Sequence, residues 1–252
     1  EYDTGDYHAT MDKMIELIDR DGFAARRAES EKKGKLRGLG INCFIEACGI
    51  APSNLVGQLG ARAGLYESAT VRVNATGGLV VMTGSHSHGQ GHETAFPQVV
   101  AEMLGIDESM IDIVHGDTAN TPMGMGTYGS RSTPVAGAAT AMAGRKIRAK
   151  AQMIAAYLLE VHDDDVEWDV DRFVVKGAPE RFKTMKEIAF ASYNQAIPGV
   201  EPGLEAVSYY DPPNMTYPFG SYICVMEINV DTGTTEIRQV YALDDCGTRI
   251  NP

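Results

Sequence analysis

The 252-residue sequence predicts an α+β protein in which antiparallel strand pairs pack with separate helices. Three observations carry that expectation. Leu39, Ile41, Cys43 and Ile45 alternate with other residues, as they do along a strand. Two long strand-like runs, 222–230 and 235–243, flank Asp231-Thr232-Gly233-Thr234, the composition of a hairpin turn. Between these regions lie apolar residues at helical spacing, as in Phe96, Val99, Val100, Met103 and Leu104.

Taken in order, residues 8–31 place Met11, Met14, Ile15, Ile18, Phe23 and Ala24 at roughly helical spacing, with Gly22 as an interruption. A charged link, 29–37, leads into the first strand. The small, Gly-rich stretch 49–64 reads as a loop. Val71, Val73 and the run 79–82 form a hairpin turning at Thr76-Gly77-Gly78. The next helix stops at Gly105, a residue suited to a helix C-terminus. A short strand over 110–114 leads to His115-Gly116-Asp117-Thr118. The longest helix spans about 133–161: Ser132 or Thr133 is placed to cap it, and Pro134 suits its first turn. Its small residues 136–143 permit close packing, and Arg145, Lys146, Arg148 and Lys150 mark a solvated or partner-facing side. Residues 167–175 are strand-like and 185–193 a short helix. The segment Tyr209-Tyr210-Asp211-Pro212-Pro213 is either an exposed docking loop or a rigid turn. The division expected is a helical lead-in over 1–36 and an α+β region over 37–252.

A net charge of −12 argues against a nucleic-acid partner, which needs clustered Lys and Arg. No apolar run approaches the roughly twenty residues of a membrane helix. The four cysteines, Cys43, Cys48, Cys224 and Cys246, have no metal-site or disulfide-framework spacing, and read as reduced thiols of a cytoplasmic protein. Cys43 and Cys48 are expected in the core, and Cys246 has no local His partner for covalent catalysis. The chain opens at Glu1 without a Met and closes at Asn251-Pro252 after a strand-like run, which suggests an internal piece of a larger protein.

Two glycine-dense loops carry the chemistry. Residues 84–94 (Gly-Ser-His-Ser-His-Gly-Gln-Gly-His-Glu-Thr) and 126–134 (Gly-Thr-Tyr-Gly-Ser-Arg-Ser-Thr-Pro) each run into a helical pattern. Helix N-termini expose unpaired N–H groups and a partial positive charge, and glycines let a ligand approach that backbone. Two such cradles suggest an elongated, phosphate-bearing cofactor. Gln90 offers an amide that donates and accepts, Arg131 a planar fork suited to phosphate, and Ser130, Ser132 and Thr133 hydroxyls. A competing reading makes His86, His88 and His92 the metal ligands of a hydrolase with Glu93 or Asp117 as base. A third is a non-catalytic interaction domain, docking through its basic helix face and the 209–213 segment.

Three segments then point to one family. Gly89-Gln90-Gly91-His92-Glu93-Thr94, the whole of 126–134, and Asp244-Asp245-Cys246-Gly247-Thr248-Arg249-Ile250-Asn251-Pro252 occur in the order found in molybdenum hydroxylases, the xanthine oxidase and aldehyde oxidase family. Val161-His162-Asp163, residues 167–173 and residues 211–220 resemble the large subunits of its carbon monoxide dehydrogenase branch. The resemblance is strongest from about residue 80 onward. It implies the molybdenum cofactor-binding domain of the aldehyde oxidase/xanthine dehydrogenase fold, with 37–252 as the molybdopterin-binding region.

Carried over residue by residue, it puts Gln90, Gly91 and His92 beside the pterin and molybdenum of molybdopterin cytosine dinucleotide. Thr127, Tyr128, Gly129, Ser130, Arg131, Ser132 and Thr133 belong to the segment holding the dinucleotide, and Cys246, Thr248 and Asn251 to a motif near it. It further implies oxidation of CO with water to CO2, a copper ion at molybdenum, partner subunits carrying 2Fe-2S clusters and FAD, and a second copy of the large subunit. The family's copper-binding cysteine loop would lie before Glu1 and its catalytic glutamate beyond Pro252, so no catalytic residue is assigned here and the chain alone is expected to be inactive. Copper-free relatives acting on aldehydes or purines fit these motifs as well. His88 stands where a Gln is common in the family.

Overall fold

The computed structural model describes Tyr2, residues 5–121 and residues 123–251; Pro252, the last residue of the third family segment, lies outside them. In chain order the elements are α1 (Tyr7–Leu17), α2 (Phe23–Glu31), β1 (Lys35–Ile45), α3 (Ser53–Gln58), β2 (Glu67–Val73), β3 (Leu79–Thr83) and α4 (His92–Leu104). There follow β4 (Ile111–His115), α5 (Ala138–Leu159), β5 (Val166–Asp169), β6 (Arg172–Val175), β7 (Ala178–Thr184), α6 (Met185–Asn194), β8 (Glu205–Tyr210), β9 (Phe219–Asn229) and β10 (Thr235–Asp245). The chain clusters into two units: one takes in the described residues up to Cys48 with Thr216–Arg249, the other Gly49–Met215 with the described residues from Ile250.

In the first unit β9 is the central strand, antiparallel to β1 from Lys35↔Asn229 to Ile45↔Phe219 and to β10 on its other side. The β9–β10 turn is held by Asn229, whose side-chain oxygen accepts from the N–H groups of Asp231 and Thr232 at 3.0 Å, while Gly233 takes φ 69°. Helix α1 starts where Asp6 accepts from Ala9 N–H at 2.9 Å, and it buries Met14 and neighbouring Ile18 against Ile223. The buried Glu227 accepts from Ser30 Oγ at 2.6 Å, Arg37 Nη2 at 2.9 Å and Lys35 Nζ at 3.3 Å. The Ser30 hydroxyl first, then Arg37 and Lys35, hold its carboxyl at about 2, against burial pushing the other way.

In the second unit the four-stranded sheet has the order β4-β3-β2-β8. Helix α5 lies along it beside α4, burying Ile147, Ile154, Ala151 and Ala155 with Val71, Val81, Leu104 and Leu204. Alanine-rich spacing lets this 22-residue helix approach the sheet closely. A second sheet, β5-β6-β7, closes the same core through Phe173 and Val175.

Several expectations need correction. Strand β4 runs parallel to β3, because α4 carries the chain across between them; the other strand pairs are antiparallel. The expected loop 49–64 contains α3. The expected single strand 167–175 is a hairpin turning at Val170, which takes φ 54°, and β7 follows it. Before α5 comes a π-helical turn, Ser132–Gly137, with no side-chain cap; the Ser132 hydroxyl instead bonds Thr127 Oγ1 at 2.9 Å. The basic face of α5 is partly spoken for: Lys146 donates to Val207 O at 2.7 Å and the Arg148 guanidinium lies 4.2 Å over the Trp168 ring. Cys48 is buried, but Cys43 and Cys246 are exposed. Asp211 accepts from Ser53 N–H at 3.0 Å, so the 209–213 segment is tethered to the start of α3. Among the described residues no helix is long and apolar enough to cross a membrane.

Candidate functional site

Strand β3 ends at Thr83 and delivers the chain into the first glycine loop. Gly89 (φ 105°) and Gly91 (φ 81°) take left-handed turns that other residues resist, and Gly91 is the N-cap residue of α4. A Cβ at either would meet nothing within 4 Å, so this backbone is open to a ligand. Within the loop, Ser87 Oγ accepts from Gly89 N–H at 3.2 Å and Gln90 Oε1 accepts from His88 N–H at 2.5 Å. The start of α4 carries its own anion: the Glu93 carboxyl is held below the usual range by its own backbone N–H, by His115 at 2.7 Å and by the Ser87 hydroxyl.

The three histidines do not converge. His92 is buried; its Nδ1 lies 3.0 Å from Ser85 O and so carries the proton, and its ring packs on Phe96. His86 and His88 face each other, Nε2 to Nε2 at 2.8 Å. Among the described residues no three His, Cys, Asp or Glu side chains are grouped to hold a metal ion. The hydrolase reading is therefore set aside.

The second loop is built on Glu67, the buried first residue of β2. Its Oε1 accepts from Met125 N–H at 2.8 Å, Gly126 N–H at 3.1 Å and Arg131 Nη1 at 2.5 Å. Arg131 is itself fully buried and also donates to the carbonyls of Ile50 at 3.1 Å, Gly126 at 2.6 Å and Leu65. The expectation that Arg131 turns its fork to a phosphate is thus corrected. A buried guanidinium needs a counter-charge, and Glu67 supplies it. What the loop presents outward is Tyr128, Gly129 (φ 56°) and Ser130 (φ 48°), flanked by half-buried Thr127.

The two loops meet. Thr127 Oγ1 donates to His86 O at 2.7 Å. Gly84 and Gly124 touch so closely that a Cβ on Gly84 would lie 2.3 Å from Gly124 Cα. Beside this crossing is a cavity of about 360 Å³ walled by His86, Asp117, Thr118, Thr121, Met125 and glycines. Residues 127–133 include no carboxylate, only hydroxyls, the buried Arg131 and backbone amides, a donor set that fits phosphate. The loops that carry Gln90, Gly91, His92 and Thr127–Thr133 are therefore brought together, at Gly84–Gly124 and His86–Thr127. Asn251 is not: it lines a hollow with Gln98, Glu102 and Asp171 around the far end of α4, a 13-residue helix about 20 Å long. Cys246 and Thr248 stand exposed beyond β10, in the first unit.

Sequence reasoning missed Glu67 and the Gly84–Gly124 approach. Glu67 is separated by 64 residues from Arg131, and its one local signal is an acid heading a strand otherwise mostly buried.

Over its whole length the chain is 55% identical to the carbon monoxide dehydrogenase large chain of Afipia carboxidovorans and 51% identical to that of Hydrogenophaga pseudoflava, spanning 32% of each. It superposes on the crystal structure of the Cu,Mo-CO dehydrogenase with a TM-score of 0.90 at 55% identity, covering 100% of this chain and 32% of that one. The chain thus spans about a third of the length of the curated relatives it matches. The molybdopterin cofactor-binding domain family matches residues 13–252, nearly the full sequence, and the chain belongs to that family.

Proposed function

We propose that this chain is the cofactor-gripping portion of a carbon monoxide dehydrogenase-type large subunit, and that the cofactor is molybdopterin cytosine dinucleotide. The observation that carries the reading is the Thr127–His86 hydrogen bond, which sets two donor-rich glycine loops side by side. In this reading the open backbone at Gly89 and Gly91, with the Gln90 amide, approaches the pterin end. His92 acts from beneath, bonding Ser85 O and so fixing the loop that precedes α4. Tyr128, Ser130 and Thr133 supply hydroxyl donors to the phosphates, and Thr127, Gly129 and Ser132, the first and last with hydroxyl protons already given to His86 O and Thr127 Oγ1, supply backbone N–H groups. Arg131 contributes through Glu67 rather than by contact.

When bound, the molybdenum group would supply oxygen transfer from water to substrate and take up two electrons. For CO the balance is CO + H2O → CO2 + 2H⁺ + 2e⁻. Electrons would leave through partner subunits carrying 2Fe-2S clusters and FAD, and a second large subunit would complete the assembly. Copper at the molybdenum is part of the same reading, supported by the Cu,Mo enzyme that the chain resembles.

The test is made on the full-length large subunit in its complex. Acid treatment is expected to release one CMP per large chain alongside one molybdenum, and dye reduction is expected to respond to CO. Release of GMP or AMP, or of no nucleotide, overturns the cofactor assignment. Turnover of aldehydes or N-heterocycles without response to CO overturns the substrate.

A further inference from the structure

The buried ion pair between Glu67 and Arg131 is not used by any contact to a ligand, since both side chains are fully buried. Burying two charges is a poor way to gain stability, because well-packed apolar side chains do as well. The pair is arranged for something else. Its contacts fall on the two feet of the exposed bow Thr127–Ser130. At one foot Gly126 donates its N–H to Glu67 Oε1 at 3.1 Å, and its carbonyl accepts from Arg131 Nη1 at 2.6 Å. At the other foot stands Arg131, whose remaining bonds run to the carbonyls of Ile50 at 3.1 Å and Leu65.

The second carboxylate oxygen, Glu67 Oε2, is buried with no hydrogen-bond partner. It lies where a Cβ on Gly84 or on Gly124 would come, at 2.9 and 3.0 Å, directly behind the crossing of the two loops. One carboxylate thus fixes the bow's span and backs the point at which it leans on the first loop. The neighbouring Ser68 repeats the device: its hydroxyl accepts from Met123 N–H at 3.1 Å and donates to Met123 O.

We infer that Glu67 and Arg131 are positioning residues for the nucleotide cofactor: untouched by it, they hold the 126–131 bow in its donor-presenting shape against loop 84–91. The inference rests on the cofactor reading above and adds to it which buried charges keep the cofactor in place. A preorganised bow binds without the loss of freedom that a loose loop would suffer on binding.

The experiment uses the full-length large subunit in its complex, with E67Q, R131K and E67D, and a control at Ile154 on α5 chosen to match their loss of melting temperature. Bound CMP and molybdenum per chain are measured after prolonged dialysis. E67Q and R131K are expected to retain at most about a tenth of the wild-type CMP. E67D, which keeps the charge, is expected to retain clearly more than E67Q, and the Ile154 control to retain the wild-type amount. A role in stability alone would make CMP follow melting temperature in every variant, and that result overturns the inference. If E67Q is insoluble, R131K and E67D decide: wild-type retention in R131K overturns it, a tenfold loss with partial rescue in E67D supports it. Absence of CMP from the wild type would overturn the cofactor reading and this inference with it, whereas CMP held equally by wild type and E67Q overturns this inference alone.

Discussion

Thr127 gives its hydroxyl proton to the main-chain carbonyl of His86 at 2.7 Å, across 41 residues of sequence. The same hydroxyl oxygen accepts from Ser132 Oγ at 2.9 Å, so one side chain links the first loop, the second loop and the turn that opens α5. Thr127→Val keeps the shape and removes both bonds. We expect a stability loss of about 1 kcal/mol, the usual net contribution of such bonds. Chemical denaturation of the full-length chain, paired with its CMP content, checks this; unchanged CMP would separate the bond from cofactor retention.

Gly84 and Gly91 are expected to fail for different reasons. A Cβ on Gly84 would lie 2.3 Å from the Gly124 backbone, so Gly84→Ala forces the loops apart, at about 1–3 kcal/mol. Gly91→Ala meets open space but must hold φ 81°, a strain of about 1–2 kcal/mol. Thermal melts should show both losses. A second-site Gly84→Ala/Thr127→Val combination should be less than additive, because both substitutions weaken the same crossing.

Acid should act first on the three-stranded sheet of the first unit. Glu227 titrates at about 2 in the folded chain against an ordinary 4.5, held there by Ser30, Arg37 and Lys35. A depressed carboxyl stabilises the fold at pH above 4.5 and loses that contribution as pH falls from 4.5 towards 2. Glu227→Gln is expected to lower stability at neutral pH and to flatten the pH dependence in that window, read by circular dichroism melts from pH 7 to 2.

The chain has one tryptophan, which makes one contact directly observable. Arg148 lies 4.2 Å over the Trp168 ring, joining α5 to β5. Arg148→Met is expected to cost about 1 kcal/mol, in the range for a partly desolvated cation–π pair. It should also change Trp168 fluorescence in the native state. An unchanged emission spectrum would contradict the contact.

Much of this architecture is legible from spacing alone, and its failures have physical causes. Periodicity marks α4 and its end at Gly105, and β9, because each is a local pattern with one buried face; β10 is almost wholly exposed and is marked instead by the Asn229–Thr234 turn that leads into it. Helix α3 escapes because six residues including Gly57 carry too little periodicity. Strand β7 escapes because Glu180, Arg181 and Phe182 are largely exposed on an edge, where no apolar alternation is required. The parallel pairing of β3 with β4 is a consequence of the α4 crossover and has no trace in either strand. At the site, glycine density identifies both loops, but Arg131 reads as a phosphate ligand until its partner Glu67 is seen. Only the fold brings these two together. The three histidines look like ligands by spacing, yet His92 turns inward once α4 begins.

In the proposed function, loops 84–94 and 126–134 together grip one nucleotide cofactor. Hydrogen–deuterium exchange on the full-length large subunit, with and without bound cofactor, tests it most directly. Amides in both loops are expected to gain protection together on loading, with the α5 core unchanged. Protection confined to one loop, or to neither, would contradict the account.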